Sequence, residues 1–352
     1  MANMAQAIRM ALHVGETHLG VKDIFGQDVG APLGGVFTAT QGLKTTWNTP
    51  LDERGIVGCA MGIAMTGDRC VAEIQFCDYI FNTIDLLKIA GNTYWVSHGN
   101  YNLPMVLMTP VGAGIRGSIY HSHSFDAWAS RLAGWKVVMP STPLDAYGLM
   151  LSAIEDPNPV MFLKPKALLR VRGEELLPGE PESEKELKAM IDAPLGDRTQ
   201  WQPKWPDLDV NFRIPIGKAK ICRAGNRLTV VSYGRTLALC LRAADELKSE
   251  GIEIEVIDLR SIYPYDWQTI KNSVLKTGRV AFVNEDTEVT NFAEHLSYRV
   301  VQELFYNLQA RPKVIAGKQI PGVGLHPNYE EASVPYYPEI ISGLREVLAE
   351  VP

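Results

Sequence analysis

Two side chains of this sequence have the chemistry of acid–base catalysts. His121 lies in the run Tyr120-His-Ser-His123, and an imidazole that titrates near neutral pH can donate or accept a proton. Glu53 lies in Thr49-Pro-Leu-Asp-Glu-Arg-Gly55. Taken alone, Glu53 also fits a solvated turn carboxylate, and His121 fits a structural or solvated loop histidine. The residues themselves therefore offer two candidates and leave both interpretations open.

Two further motifs suggest ligand sites, but each lacks other residues that such a site requires. His121 and His123 have the spacing of a metal pair, but no third ligand with a recognisable spacing accompanies them. Gly112-Ala-Gly-Ile-Arg-Gly117 has the glycine pattern of a dinucleotide-binding turn, which needs a helix directly after it and an acidic residue about twenty positions later. The strand near Val137 ends in Met139-Pro140 instead. We interpret the run as a flexible loop near some ligand, with a nicotinamide-dependent oxidoreductase as the alternative.

These candidates require a scaffold of alternating strands and helices. In the first half, apolar runs predict strands at 70–76, 104–109, 135–139 and 160–163, and helical periodicity predicts helices at 79–97, 124–132 and 144–154. In the second half, strands are predicted at 228–232, 254–259 and 279–284, and helices at 237–247 and about 292–308. Such alternation indicates mainly parallel sheets with helices on both faces. The predicted fold class is α/β, in two domains.

Length and composition divide the chain into three parts. A chain of 352 residues is too long for one ordinary core. Residues 174–211 combine five prolines with many charges and two tryptophans, Trp201 and Trp205, which is typical of a linker whose tryptophans anchor on a domain surface. We therefore predict an α/β domain at 1–173, a linker at 174–211 and a second α/β domain at 212–352.

Composition also limits the compartment and the partners. The net charge is −6 without a dense Lys/Arg run, which argues against nucleic-acid and anionic-membrane partners. Five cysteines without a C-x-x-C pair favour a reducing compartment. Residues 1–14 have the pattern of an amphipathic helix rather than a signal peptide, and no apolar stretch is long enough to span a bilayer. We expect the cytoplasm, or the mitochondrial matrix or a plastid if a transit peptide has been removed.

Many collinear segments resemble the β-subunit family of the thiamine-diphosphate-dependent 2-oxo acid dehydrogenases, which are transketolase-like enzymes. The first half contributes Phe25-Gly-Gln-Asp-Val-Gly30, Asn48-Thr-Pro-Leu-Asp-Glu-Arg-Gly-Ile-Val-Gly58, Ala72-Glu-Ile-Gln-Phe-Cys-Asp-Tyr-Ile-Phe81, Tyr120-His-Ser122 and Glu155-Asp-Pro-Asn-Pro159. The second half contributes Pro215-Ile-Gly-Lys-Ala219, Val256-Ile-Asp-Leu-Arg260 and Lys276-Thr-Gly-Arg279. The resemblance covers nearly the whole chain except the linker and the tail after about Gly317. It implies a pyrimidine-binding domain followed by a transketolase C-terminal-like domain used in assembly.

The resemblance implies thiamine diphosphate as cofactor and gives roles to five residues. Glu53 matches the family glutamate that hydrogen-bonds the pyrimidine ring and drives its amino group to the imino tautomer. Tyr79 matches the aromatic residue that packs on the pyrimidine, and Leu51 and Gln75 match residues that line its pocket. His121 matches the histidine near the reactive end of the cofactor, where it can supply a proton to the opening lipoyl sulfur.

The resemblance also suggests a monovalent-cation site for potassium, as in branched-chain members. Its ligands would be the side chains of Asp156 and Asn158 and the backbone carbonyls of Leu103, Met105, Val106 and Ala153. A helix-end Asp cap followed by a turn Asn explains the two side chains equally well.

Half of the cofactor site has no match in the sequence. The family holds magnesium and the diphosphate with a Gly-Asp-Gly motif followed by Asn, and Thr66-Gly-Asp-Arg69 lacks the second glycine. The resemblance therefore implies an α2β2 heterotetramer in which an α subunit supplies the magnesium site. The implied reaction is oxidative decarboxylation of a 2-oxo acid with acyl transfer to the lipoyl group of an acyltransferase core. The run at 73–79 favours a branched-chain substrate, with pyruvate or acetoin as alternatives. A third interpretation is a mainly structural scaffold that docks the acyltransferase.

The sequence departs from the family pattern at three places. These departures affect the expected substrate and the docking of partners, but they leave the roles implied for Glu53 and Tyr79 unchanged. His123 stands where members usually have Gln. Ala90-Gly-Asn-Thr-Tyr-Trp95 replaces a more basic stretch, and Gln319-Ile-Pro-Gly-Val-Gly-Leu-His326 replaces the usual tail pattern.

Overall fold

A computed structural model describes residues 1–196 and 200–351, which form two compact units. The first unit comprises Met1–Pro110 with Arg131–Ile216, and the second comprises Val111–Ser130 with Gly217–Pro352. The segment predicted as a linker, 174–211, lies in the first unit, and its residues 197–199 lie outside the described residues, as does residue 352. Among the described residues, no helix has the length and apolar character needed to cross a membrane.

A parallel sheet forms the centre of the first unit. Its strands are β1 (Val21–Gly26), β2 (Thr46–Asn48), β3 (Arg69–Glu73), β4 (Met105–Val111), β5 (Lys136–Val138) and β6 (Val160–Pro165), in the order β5-β6-β4-β3-β1-β2. Every residue of β4 and β6 is buried, as expected for inner strands covered on both faces. The helices of this unit are α1 (Met4–His18), α2 (Glu53–Met65), α3 (Ile84–Val96), α5 (Pro143–Glu155) and α6 (Glu184–Ile191).

Helix α1 differs from its predicted pattern. It starts at a capping box between Asn3 and Gln6, and its residues 4–12 are all buried. The expectation of an amphipathic helix is therefore wrong for its first half. Part of the cover comes from the 174–211 segment, because Trp205 stacks on His13 with 4.1 Å between ring centroids. The buried Arg9 also donates from Nη1 to the carbonyl of Ile191 at 2.9 Å.

The second unit contains a five-stranded sheet. Its strands are β7 (Lys220–Arg223), β8 (Thr229–Ser232), β9 (Glu255–Asp258), β11 (Val280–Thr287) and β12 (Lys313–Gly317). They lie in the order β12-β11-β8-β9-β7, and of these five strands only β7 is antiparallel. A further short strand is β10 (Ser261–Tyr263). The helices are α4 (Asp126–Ser130), α7 (Arg235–Ser249), α8 (Trp267–Thr277), α9 (Phe292–Leu304), α10 (Pro327–Ser333) and α11 (Tyr337–Ala349). Gly251 follows α7 with a φ of 79°, as its sequence position predicts. Two mainly parallel sheets confirm the α/β fold class.

Two local predictions need correction. The helix expected at 79–97 begins only at Ile84, after a 3-10 helix at Cys77–Thr83. The glycine run at 112–117 is followed by a 3-10 turn, Ser118–Tyr120, and not by the α-helix that a dinucleotide site requires. Local packing explains the glycine at position 117 instead, because a Cβ there would lie 2.5 Å from the His121 carbonyl oxygen.

Candidate active site

Four of the five predicted cofactor residues follow the carboxyl ends of β2 and β3. Leu51 and Glu53 come after β2, and Gln75 and Tyr79 come after β3. The carboxyl ends of parallel strands lie at one edge of the sheet, where ligands of open α/β sheets bind. Strand β1 lies between β2 and β3, and Asp28 after it accepts a hydrogen bond from Gln75 Nε2 at 3.0 Å. The fold thus brings the ends of three neighbouring strands together.

Glu53 is the first residue of α2 and is half-buried. Its Oε2 accepts a hydrogen bond from Asn82 Nδ2 at 3.3 Å. Asn82 stands three residues after Tyr79 in the 3-10 helix, and such positions eclipse one another. The Tyr79 ring therefore shares a face with the amide that contacts Glu53.

The surface around Glu53 fits a flat heteroaromatic ring. Leu51 leaves 70% of its surface exposed. Tyr79 is half-buried, and the Phe76 ring lies edge-on to it with 6.0 Å between centroids. An exposed aliphatic side chain, a braced aromatic ring and one carboxylate suit an aminopyrimidine, which has two apolar faces and ring nitrogens at its edge.

Arg54 fixes α2 to the start of α3. Its two terminal nitrogens donate to both carboxylate oxygens of Asp85 at 2.6 and 2.8 Å. This hydrogen bonding lowers the pKa of Asp85 to about 2, so the pair stays charged at physiological pH. The bidentate pair orients the turn of α2 in which Glu53 lies.

A buried ion pair that sequence reasoning missed lies at the same sheet edge. Glu73, the last residue of β3, pairs with Lys164 of β6, and both side chains are fully buried. Glu73 Oε1 also accepts a hydrogen bond from the Val36 backbone N–H at 3.1 Å. The pair therefore joins two strands and one loop next to Gln75. Its signal in the sequence is a lysine inside the apolar strand Val160–Pro165.

His121 lies in the second unit, in the loop that follows β4. It is half-buried, and its Nδ1 lies 3.1 Å from the carbonyl oxygen of Gly117. Because a carbonyl only accepts hydrogen bonds, Nδ1 carries the proton and Nε2 is the basic nitrogen. Among residues 1–196 and 200–351, no group of three or more His, Cys, Asp and Glu side chains could hold a metal ion.

Two buried carboxyl groups anchor this loop within the second unit. Asp126 of α4 accepts a hydrogen bond from the Tyr233 hydroxyl at 2.5 Å. Asp286 of β11 accepts from the Ala127 N–H at 3.1 Å and lies against Asp126. Burial and the nearby Asp286 carboxylate raise the pKa of Asp126 well above its usual range, and burial raises the pKa of Asp286 as well. Both effects favour the protonated form of the Asp126 carboxyl.

Replacing Asp126 with Asn should stabilise the protein at neutral pH. The native state must hold a proton that the unfolded chain releases above about pH 3.9, so stability falls as pH rises from there toward the native pKa. An amide N–H can replace the acid O–H without proton uptake. We expect D126N to exceed the wild type by at least about 1 kcal/mol at pH 8 and to match it near pH 4. Urea unfolding at both pH values measures this difference, and an equal gain at both would contradict it.

The six residues of the suggested cation site all belong to the first unit. Asp156 ends α5, pairs with Lys136 and accepts from the Asn158 N–H at 3.0 Å. Arg69 Nη1 donates to the carbonyls of Ile154 at 2.5 Å and Asp156 at 3.4 Å. These contacts match the alternative interpretation, in which Asp156 caps the end of a helix and Asn158 lies in a turn. Asn158 Oδ1, however, is buried without a hydrogen-bond partner among the described residues, as expected for a cation ligand.

Comparisons with known proteins agree with this arrangement. Residues 2–172 match the transketolase pyrimidine-binding domain, and residues 217–340 match the transketolase C-terminal domain. The first of these implies thiamine diphosphate as cofactor. The inactive β4 tetramer of a split-gene transketolase superposes with a TM-score of 0.67 at 17% identity, over the full length of both chains, and shows the shared fold.

Curated relatives identify the branch of the family. The 2-oxoisovalerate dehydrogenase subunit beta of Bacillus subtilis (strain 168) is 33% identical over 331 residues, which is 92% of this chain and 91% of the relative. The pyruvate dehydrogenase E1 component subunit beta of Acholeplasma laidlawii is 37% identical over 322 residues, which is 90% and 88% of the two chains. The resemblance found in the sequence is confirmed: this chain belongs to the β-subunit family of the 2-oxo acid dehydrogenases.

Proposed function

We propose that this chain is the β subunit of a decarboxylating 2-oxo acid dehydrogenase component and that Glu53 is its cofactor-activating residue. The observation that carries the proposal is the placement of Glu53, Asn82 and Tyr79 on one sheet edge of a pyrimidine-binding domain. The reaction is oxidative decarboxylation of a 2-oxo acid with acyl transfer to a lipoyl group. The alternative of a nicotinamide oxidoreductase lacks support, since no α-helix follows the glycine run at 112–117.

Each residue has one task in this proposal. Thiamine diphosphate, when bound, supplies the electron sink that decarboxylation of a 2-oxo acid requires. Glu53 would hold a proton against the ring nitrogen of the pyrimidine, with Asn82 orienting the Glu53 carboxyl. Tyr79 and Leu51 would pack on the ring, and Gln75, fixed by Asp28, would line its edge. His121 moves a proton at Nε2, because Nδ1 is held by the Gly117 carbonyl.

The proposed assembly is an α2β2 heterotetramer. The α subunit would contribute the magnesium and diphosphate half of the site, and a lipoyl-bearing acyltransferase would accept the acyl group. Relatives named as subunits of 2-oxoisovalerate and pyruvate dehydrogenases support this assignment. The branched-chain substrate favoured by the sequence remains a prediction, with pyruvate or acetoin as the alternatives, and so does a cytoplasmic location.

Cofactor binding should depend on the partner. The chain alone contains only the pyrimidine half of the proposed site, so we expect thiamine diphosphate to bind at least roughly tenfold more weakly without a co-expressed α subunit. Calorimetric titration with both preparations, in the presence of magnesium, measures this difference. Decarboxylation rates with branched-chain and unbranched 2-oxo acids then rank the substrates. Tight binding of a nicotinamide dinucleotide by the chain alone would overturn the proposal.

A potassium ion should stabilise the first unit if the cation site exists. Its support is the unpartnered Asn158 Oδ1, and binding would require Asp156 to share its carboxylate with Lys136. We expect potassium to raise the Tm by roughly 2–4 °C over an equal concentration of choline. Asn158→Ala should abolish the increase, and Asn92→Ala in α3 should keep it, since Asn92 is not one of the proposed cation ligands. Equal Tm values in the two salts would indicate that Asp156 and Asn158 have only the structural role of a helix cap and a turn.

A further inference from the structure

A cavity of about 390 Å³ lies in the second unit, beside the carboxyl ends of β11 and β12. All of its lining residues belong to that unit, so its shape depends on one compact body. The carboxyl ends of parallel strands are where ligands of α/β sheets bind. The volume lies in the lower part of the range for small-molecule sites. None of the residues assigned above to thiamine diphosphate lines it.

One residue that lines this cavity, Ser122, has a buried hydroxyl without a partner among the described residues. Ser122 is 4% exposed, and its Oγ makes no hydrogen bond with any described residue. Burying an unsatisfied hydroxyl destabilises a protein, so such groups are rare unless water or a ligand satisfies them. Because Ser122 lines the cavity, a ligand there can supply the missing hydrogen bond.

The same cavity is lined by a carboxylate without a neutralising cation. Asp286 is 6% exposed and accepts hydrogen bonds from the backbone N–H groups of Ala127 and Thr287, at 3.1 and 2.9 Å. No Lys, Arg or His within 1–196 and 200–351 forms an ion pair with the carboxyl of Asp286 or Asp126. Lys318 also lines the cavity but pairs with Glu339, and Arg235 pairs with Glu285, each at 2.8 Å.

The exposed part of the lining is apolar. Ile119, Trp128, Val289 and Ile320 each leave 48–58% of their surface accessible around this one cavity. An indole ring in such a position attracts both apolar groups and organic cations. A buried negative charge with an apolar entrance selects a ligand with a positive charge at one end and an apolar body at the other.

We propose that this cavity binds a small organic amine, as an ammonium ion with an apolar body. The ammonium group contacts Asp286 and Ser122, and the body packs on Trp128 and the aliphatic side chains beside it. This site is additional to the proposed dehydrogenase function and does not depend on it.

Three matched probes test the charge requirement: 2-phenylethylamine, the neutral 2-phenylethanol and the anionic phenylacetate. Calorimetric titration uses the full chain, alone and assembled with its α subunit. We expect a Kd on the order of 0.1–1 mM for the amine, at least roughly tenfold weaker binding of the alcohol, and no saturation with the carboxylate.

Variants locate the binding. Ser122→Ala should weaken amine binding roughly fivefold without lowering the Tm of the unliganded protein, since its hydroxyl has no partner to lose. Trp128→Ala should also weaken amine binding, whereas Tyr298→Ala should not, because Tyr298 is an exposed aromatic residue of α9 that does not line the cavity. The proposal is overturned if the amine does not saturate, if the alcohol binds as tightly, or if the variants bind unchanged. It is also overturned if assembly with the α subunit abolishes binding, because the cavity would then be a subunit contact.

Discussion

Glu53→Gln is expected to lower the kcat of the assembled enzyme by roughly 10²- to 10⁴-fold, the usual contribution of a positioned acid–base group. Glutamine has the same shape and keeps the hydrogen bond to Asn82, but it cannot hold a proton between itself and a ring nitrogen. Because the Glu53 side chain is half-buried and its one hydrogen bond, from Asn82 at 3.3 Å, can also form with glutamine, the fold should not change. Steady-state decarboxylation with the α subunit present measures the effect, and the Tm confirms the fold.

Asp52→Asn is the matched control for this prediction. Asp52 is the exposed N-cap of the same helix and carries the same charge one residue earlier, without a side-chain capping hydrogen bond. It should retain most of the activity, since it has no proposed contact with the cofactor. If Glu53→Gln and Asp52→Asn had equal and full activity, Glu53 would be dispensable and the interpretation of the chain as a structural scaffold would be favoured.

The sequence predicted the alternation of strands and helices because apolar periodicity is a local property. It offered Glu53 as one of two acid–base candidates, and it identified Tyr79, Leu51 and Gln75 only through the family resemblance. The four residues are spread over 51–79, and only the parallel sheet brings their strand ends to one edge. Helix α2 escaped prediction because its thirteen residues include three glycines, which lower helix propensity, while burial of Ile56, Val57, Ala60 and Ala64 stabilises it.

Contacts between distant positions were beyond the reach of sequence patterns. Glu73 and Lys164 are 91 positions apart, and Asp126 and Asp286 are 160 apart, from 286 − 126. A lone charged residue in an apolar strand predicts that a charged partner lies nearby, but it does not predict which residue that partner is. The proline-rich segment at 174–211 packs on α1 through Trp205, in agreement with the anchoring predicted for its tryptophans. Its helix α6 was not predicted.

Lys164→Met is expected to produce the largest loss of stability, about 3–5 kcal/mol. Methionine approximates the volume of lysine, but it leaves the fully buried Glu73 carboxylate without its cation. The loss should appear as a lower denaturation midpoint in urea for the transition of the first unit. Lys313→Met is the control, because the Lys313–Glu346 pair is exposed and such pairs contribute less than about 1 kcal/mol.

A double variant separates the ion pair from the packing around it. Glu73→Gln in the Lys164→Met background removes the buried charge while its amide oxygen can still accept the Val36 N–H. Buried ion pairs replaced on both sides by uncharged residues are often neutral in stability, so most of the loss should be recovered. If the double variant were instead as unstable as Lys164→Met, the lysine would act through its aliphatic packing and not through its charge. A recovered fold with weakened thiamine-diphosphate binding would show that the pair also positions the strand end from which Gln75 projects.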